Sequence, residues 1–528
     1  MKTWLMYPDR DFQLPGAMPD QAADLVQDLG LGSLFQAMAA GDAFLADAAK
    51  AALLNPMGTV EEVVYRQDVL KDFLAEPALL RELYGLTVAA VNGERKLWMG
   101  AGARYPGFRL QRSVQVLEIV LVALQGIRAL VDRHGAGFRS SGLRRFRAMV
   151  QDELGDAFFT AVQAHLKVLR FREGLLMSAQ LGEGNRSRGF VLRRPNQPEG
   201  GWWRRLFRRR PREFTFYIAE RDETGAKAVS ELKDRALSLV ANAVTQSTDH
   251  ILAFLAMLRA ELAFHLGCVN LQDRLRQLGA PTAFPVPLPP GRRCHVATGA
   301  YDVGLALATG RSAVGSDLQA EDRNLVVITG ANQGGKTTYL RALGLAQLML
   351  QSGMFVPAQA FRANLCDGLH THFKREEDAG MKSGKLDEEL ERMSGIVGRL
   401  GPDALVLCNE SFAATNEREG SEIARQVVSA LVEQGITVFF VTHLYELAHG
   451  MEAAFGAAAC FLRAAPPAPG PARFRLEPGE PLRTSHGVEV YRQVFQEQGP
   501  GPAAIPGPAR SCHDASSGDG VHLEPPQR

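Results

Sequence analysis

Gly330-Ala331-Asn332-Gln333-Gly334-Gly335-Lys336-Thr337 fits G-x-x-x-x-G-K-[ST], a spacing that puts a lysine and a hydroxyl at the end of a glycine-rich run. Glycines there let backbone N–H groups curl around phosphate oxygens, and a helix starting at the lysine adds the positive end of its dipole. Lys336 is expected to reach the β- and γ-phosphates of a bound nucleotide, ATP, and the Thr337 hydroxyl to ligate Mg²⁺. Gly330, Asn332, Gly334, Gly335 and Thr338 complete the expected phosphate-binding set. The alternative is a chance glycine-rich turn, and the flanks argue against it. Val326, Val327 and Ile328 read as a buried strand that Gly330 breaks, and Thr338 to Leu343 continues as a helix.

Two later stretches supply groups that could work on the same phosphates. Ala404-Leu-Val-Leu-Cys408 reads as a second buried strand, and it delivers Asn409-Glu410. An aspartate at such a place commonly holds Mg²⁺, and the next glutamate orients the attacking water. Asn409 keeps a metal-binding oxygen but loses the charge, while Glu410 remains available as general base. The competing reading of Asn-Glu after a strand is a helix cap. Ile436 to Val441 reads as a third strand, ending in Thr442-His443. The imidazole of His443 could sense the γ-phosphate or hold the attacking water, although alone it reads as structural. Ser383-Gly384 could present a hydroxyl and N–H groups to a phosphate at the start of a helix near Leu386. From the residues alone, a plain capped, charged helix is the favoured reading there.

These groups need a framework, and the rest of the chain is long enough to build one. At 528 residues it has room for two to four domains at ~150 residues each. A net charge of +1 predicts no partner from bulk electrostatics, so any nucleic-acid or membrane affinity must be local. The six scattered cysteines include no C-x-x-C pair, which argues against a zinc site or disulfide framework and for a reducing cytoplasm. The N-terminus lacks a signal-peptide pattern. The most apolar stretch, Val114 to Val131, carries Gln115, Glu118, Gln125 and Arg128 at helical spacing, so a buried helix is expected and no transmembrane segment.

Residues from about 17 to 190 read almost wholly as helix, and a second helical pattern runs from about Ala226 to Leu278. Between them, Trp202, Trp203, Arg204, Arg205, Arg208, Arg209 and Arg210 form an Arg/Trp-rich insertion. It is flanked by FVL (190–192) and FTFYI (214–218), which read as short strands. Guanidinium groups and indoles suit phosphate contacts with stacking on nucleic acid. An anionic membrane surface suits the same composition less well, and a solvated insertion without a partner is the bland reading. Pro281 to Pro290 reads as a proline-rich connector, and Gly499 to Arg528 as a disordered tail.

The order TGANQGGKTTYL, SGKLDEEL, LVLCNESFAATNEREG and FFVTHLYEL resembles the ATPase of the MutS family, a branch of the ABC-type ATPases. Thr329, Gly330, Asn332, Gly334, Gly335 and Lys336 match the family's TG-x-N-x-GGK core. Thr415 to Gly420 resembles its interface-crossing loop, and PGEPLRTSHG (478–487) its closing segment. Glu61 to Leu70 resembles the R-Q-x-x-[VL] helix of its helical core. The resemblance implies a homodimer with two composite sites, in which Ser383 of one subunit closes on the γ-phosphate held by Lys336 and Thr337 of the other. His443 would be the switch histidine, and ATP-driven closure would be transmitted to DNA. Asn409 replaces the family's aspartate, and Gly384-Lys385 replaces its Thr-Phe. The first fifty residues contain no Phe-x-Glu, so the mismatch-recognition domain is expected to be absent.

The expected fold is an α/β P-loop (ABC-type) ATPase domain at 291–497, preceded by a mostly α-helical core and lever domain at 1–290 and followed by a tail at 498–528. The expected function is a cytoplasmic, DNA-binding ATPase acting as a homodimer on mismatched or structured DNA, with other repair proteins as further candidate partners. The alternative is a nucleotide-gated dimerisation switch that scaffolds protein partners.

Overall fold

Strand β6 (Leu325–Thr329) has every residue buried, which is what a central strand of a covered parallel sheet requires. In the computed structural model it lies in a six-stranded sheet of order β12-β11-β6-β10-β9-β8. Its members are β8 (Leu369–Phe373), β9 (Leu405–Asn409), β10 (Thr437–Val441), β11 (Ala459–Ala464) and β12 (Leu476–Pro478). All run parallel except β12, which pairs antiparallel with β11. The structure describes residues 1–14, 16, 18–97, 105–171, 174–185, 187–193, 215–330, 334–375, 384–464 and 474–481.

Register fixes what the sheet presents at its carboxyl edge. Val441 pairs with both Ile328 and Asn409, and Phe373 also pairs with Asn409. The residues that follow β6, β9, β10 and β8 therefore emerge side by side. A second sheet, β3-β7-β4-β5, is built from Val286–Leu288, Ala360–Asn364, Cys294–Ala300 and Ser316–Glu321. The proline-rich connector thus contributes a strand, β3, whose Pro287 is tolerated because β3 lies at the sheet edge.

The helical region comprises α1 (Ala22–Asp28), α2 (Leu31–Ala39), α3 (Ala43–Leu53), α4 (Val60–Ala75), α5 (Pro77–Lys96), α6 (Pro106–His134), α7 (Ser141–Glu153), α8 (Asp156–Leu169) and α9 (Glu223–Gln277). Side-chain caps start several of them: Asp42 accepts from Phe44 N, Thr59 from Glu62 N and Asp222 from Gly225 N. Helices α6 and α9 are long and apolar enough to cross a membrane, yet 56% and 72% of their most apolar windows are buried inside the protein. Core packing accounts for that apolar surface.

Two expectations are corrected here. Helix does not continue to residue 190, because β1 (Leu176–Leu181) and β2 (Ser187–Arg193) form an antiparallel hairpin. FVL (190–192) lies in β2, but 215–218 is not a strand, and Phe216 and Tyr217 are exposed instead of paired. Of the Arg/Trp insertion, Trp202, Trp203, Arg204, Arg205, Arg208, Arg209 and Arg210 lie outside the described residues.

Residues Met1–Leu482 form one compact unit, and one continuous hydrophobic core runs from Leu5 through α3–α9 to Leu340, Leu407 and Leu476. Polar ties reinforce it. The fully buried Arg66 of α4 donates from Nε to Met6 O and from Nη1 to Ser352 O, both at 3.1 Å, and faces the Tyr7 ring. Gln67 donates to Pro285 O at 3.0 Å.

On α9, Glu261 Oε2 accepts from Leu5 N at 2.8 Å, and burial pushes its carboxyl up to about 7. One turn on, burial drives the His265 imidazole down to about 3, so it stays neutral beside Leu5 O. Because the folded state holds the Glu261 proton more tightly than the unfolded chain, its contribution is full below pH ~4.5 and is lost as pH rises through about 7. The loss amounts to roughly 3 kcal/mol at 1.36 kcal/mol per pKa unit. Glu261→Gln is expected to flatten that fall in melting temperature between pH 5 and pH 8. An unchanged slope would remove Glu261 as its source.

Candidate functional site

The glycine-rich loop leaves β6 through Gly330 and enters α11 (Lys336–Gln351), after α10 (Val303–Thr309) has formed one side of the approach. Gly330 and Gly335 adopt φ of 126° and 86°, a region that disfavours other residues. A Cβ on Gly330 would lie 2.7 Å from Ala464 Cβ, and one on Gly335 would lie 3.0 Å from Phe474 O. Gly330 and Gly335 are thus held close to the end of β11 and the approach to β12. Asn332 lies outside the described residues, as does Ser383, although the helix after it, α12 (Lys385–Val397), begins where expected.

Lys336 is only 4% exposed, and its Nζ donates to Gly330 O at 2.7 Å. Burial lowers its pKa, and nearby Glu410, 3.8 Å away, opposes that effect. Glu410 follows β9 with φ of 55°, and its N–H donates to Val441 O at 3.0 Å, which ties the tip of β9 to β10. Its other carboxylate oxygen meets His443 Nδ1. Asn409-Glu410 is therefore not a helix cap; the cap of α13 (Glu417–Glu433) is Asn416.

Thr337 Oγ1 donates to Asn409 Oδ1 at 2.8 Å, bringing the two expected metal-binding residues together. Two converging oxygens suit a hard cation that takes oxygen ligands, so the donor set fits Mg²⁺ in kind. Both oxygens are neutral, and the adjoining Glu410 carboxylate already faces Lys336 and His443.

A cavity of ≈ 1020 Å³ opens over these groups. Its lining includes Gly334, Gly335, Lys336, Thr337, Thr338, Glu410 and His443, so the described members of the expected phosphate-binding and catalytic sets share one space, except Gly330, which does not line it. Tyr301, Asp302, Arg311, Val314, Lys374 and Phe474 also line it, none of which was singled out from the sequence. No spacing signal marks them, because they arrive from the segments flanking α10, from the residue after β8 and from the approach to β12.

A support for Glu410 was also missed. His372 of β8 lies 2.7 Å from Ser411 Oγ through Nδ1 and 3.0 Å from Glu389 O through Nε2. Burial lowers its pKa to about 4, so the neutral ring donates from Nε2 to the carbonyl, while Ser411 Oγ donates to His372 O at 2.8 Å. It fixes the residue after Glu410 and stacks on Phe412.

A buried strand, a glycine loop and a helix N-terminus at the carboxyl edge of a parallel sheet form an arrangement suited to a phosphate chain. Family models describe the two halves of the chain: MutS2 N-terminal domain over residues 58–278, and MutS domain V over residues 326–493. The chain belongs to the MutS family. It is 35% identical over 136 residues to the Endonuclease MutS2 of Lacticaseibacillus casei, covering 25% of this chain and 17% of that one. It is 38% identical over 127 residues to the DNA mismatch repair protein MutS of Thermotoga petrophila, covering 24% and 16%. The human MutS protein homolog 4 is 31% identical over 129 residues, covering 24% and 14%. The chain therefore matches less than a fifth of the length of each of these relatives.

Proposed function

We propose that this chain is a MutS-type ATPase of ABC-type P-loop fold, built as a helical core and lever domain (1–290) and an ATPase domain (291–497). It works in the cytoplasm as a homodimer that couples ATP to the binding of mismatched or structured DNA. The observation that carries this reading is the convergence of Lys336, Thr337, Glu410 and His443 on one cavity at the sheet's carboxyl edge, with Asn409 Oδ1 accepting from Thr337 Oγ1.

In this scheme the loop N–H groups and Lys336 hold the β- and γ-phosphates. Mg²⁺, held through Thr337 and Asn409, would neutralise phosphate charge when bound. Glu410 takes a proton from the attacking water as its oxygen bonds to the γ-phosphorus and the bond to the β-phosphate oxygen breaks. His443 orients the Glu410 carboxylate. Ser383 from the second subunit would close on the γ-phosphate.

DNA is assigned from family membership and from the composition of the Arg/Trp insertion. The test is DNA binding by perfect, mismatched and branched duplexes, with and without ATP and Mg²⁺, across a salt series. A structural preference coupled to nucleotide and weakened by salt is expected. Absence of binding to any DNA would remove that part of the reading. The neutral Asn409 favours a second reading, a slow nucleotide-gated dimerisation switch for protein partners. Efficient turnover without any partner would count against it.

A further inference from the structure

The charge balance around the Thr337–Asn409 pair differs from that of a carboxylate-held metal site. Mg²⁺ is usually held by one or two carboxylates together with substrate phosphates. Here the two oxygens are a hydroxyl and an amide. The acid beside them, Glu410, faces two nitrogen groups, Lys336 Nζ and His443 Nδ1. A further cation is held at the same edge. Lys374 directly follows β8, whose Phe373 pairs in register with Asn409, and Lys374 N donates to Asn409 O at 2.9 Å. Its backbone is thereby pinned next to that of Asn409, while its side chain is exposed and lines the cavity with Thr337, Glu410 and His443. Among the described residues Lys374 makes no ion pair within 4.0 Å, although its charge is felt by the buried Glu389 carboxyl.

We infer that Lys374 supplies phosphate countercharge in place of a carboxylate-held metal, so that this site binds nucleotide triphosphate with little dependence on Mg²⁺. The inference rests on the nucleotide-site reading and sharpens it. A lysine ammonium is a mobile point charge on a four-carbon stem, suited to following phosphate oxygens. The same charge repels a divalent cation, and the neutral Asn409 does not offset that repulsion. Aspartate at 409 would pull the balance the other way, towards the metal.

The test is equilibrium titration of the full chain with a fluorescent ATP analogue, in EDTA and in Mg²⁺. The dissociation constant of the unaltered protein is expected to differ by less than about fivefold between the two conditions. K374G is expected to weaken binding about tenfold or more in EDTA and to regain much of it in Mg²⁺, with K374R close to the unaltered protein. Asn409→Asp should make binding tighter in Mg²⁺ and weaker in EDTA. An unchanged melting temperature separates these effects from misfolding. Loss of about tenfold or more on removing Mg²⁺ from the unaltered protein would overturn the inference, as would K374G binding normally in EDTA. No binding in either condition would overturn the nucleotide-site reading as well.

Discussion

Lys336→Met is expected to lower ATP affinity by about 100-fold or more, equivalent to roughly 2.7 kcal/mol or more. The substitution keeps most of the apolar stem that fills the 4%-exposed position and removes only the charge and its donors. That ammonium bridges Gly330 O and the Glu410 side of the sheet edge, so it sits where a β- or γ-phosphate oxygen would replace one of those partners. Burial lowers its pKa, and an anion beside it, as Glu410 is, favours the charged form. Isothermal titration with ATP checks the result. Affinity within about threefold of the unaltered protein would sink the phosphate-loop assignment.

Glu410→Gln is expected to leave ATP binding within about threefold and to cut turnover by about 100-fold or more, as removal of a general base does. Glutamine preserves the length of the side chain and can still meet His443, and the backbone at φ 55° is held by the N–H bond to Val441 O, so little else should move. The separation of binding from turnover is the diagnostic. It is read by phosphate release under saturating ATP alongside equilibrium binding, and by persistence of an ATP-bound dimer. Normal phosphate release would show that Glu410 is not the base. Loss of both properties would instead assign it to holding Lys336.

The parts of the site legible in the sequence were those carried by contiguous runs. Leu325–Thr329, Leu405–Asn409 and Thr437–Val441 are unbroken apolar stretches apart from their ends, and each leads directly into the chemistry-bearing residues at the sheet edge. Strand β8 was not legible because its sequence, Leu-His-Thr-His-Phe, buries two histidines and a threonine that no periodicity rule would bury. Lys374 and the His372 support went unseen with it. Pro281–Pro290 concealed β3 behind its prolines, and although FVL (190–192) of β2 was read as strand, its partner β1 was concealed by weak alternation on a largely exposed ribbon. Arg66, Gln67 and Glu261 illustrate a different limit. Nothing in the sequence marks them as buried, and only their distant backbone partners reveal why burial is tolerated.

Arg66 has a consequence for how such a chain can be recombined. Its guanidinium joins Met6 O, near the start of the chain, to Ser352 O, at the end of α11. The helical region is therefore not an exchangeable cassette. Grafting it from a relative that lacks the matching backbone course would strand a buried cation and a buried carbonyl on opposite sides of the junction, costing about 3–5 kcal/mol. Variation on either side of that junction is under joint constraint, and a neutral change in one half can become harmful when paired with another lineage's second half.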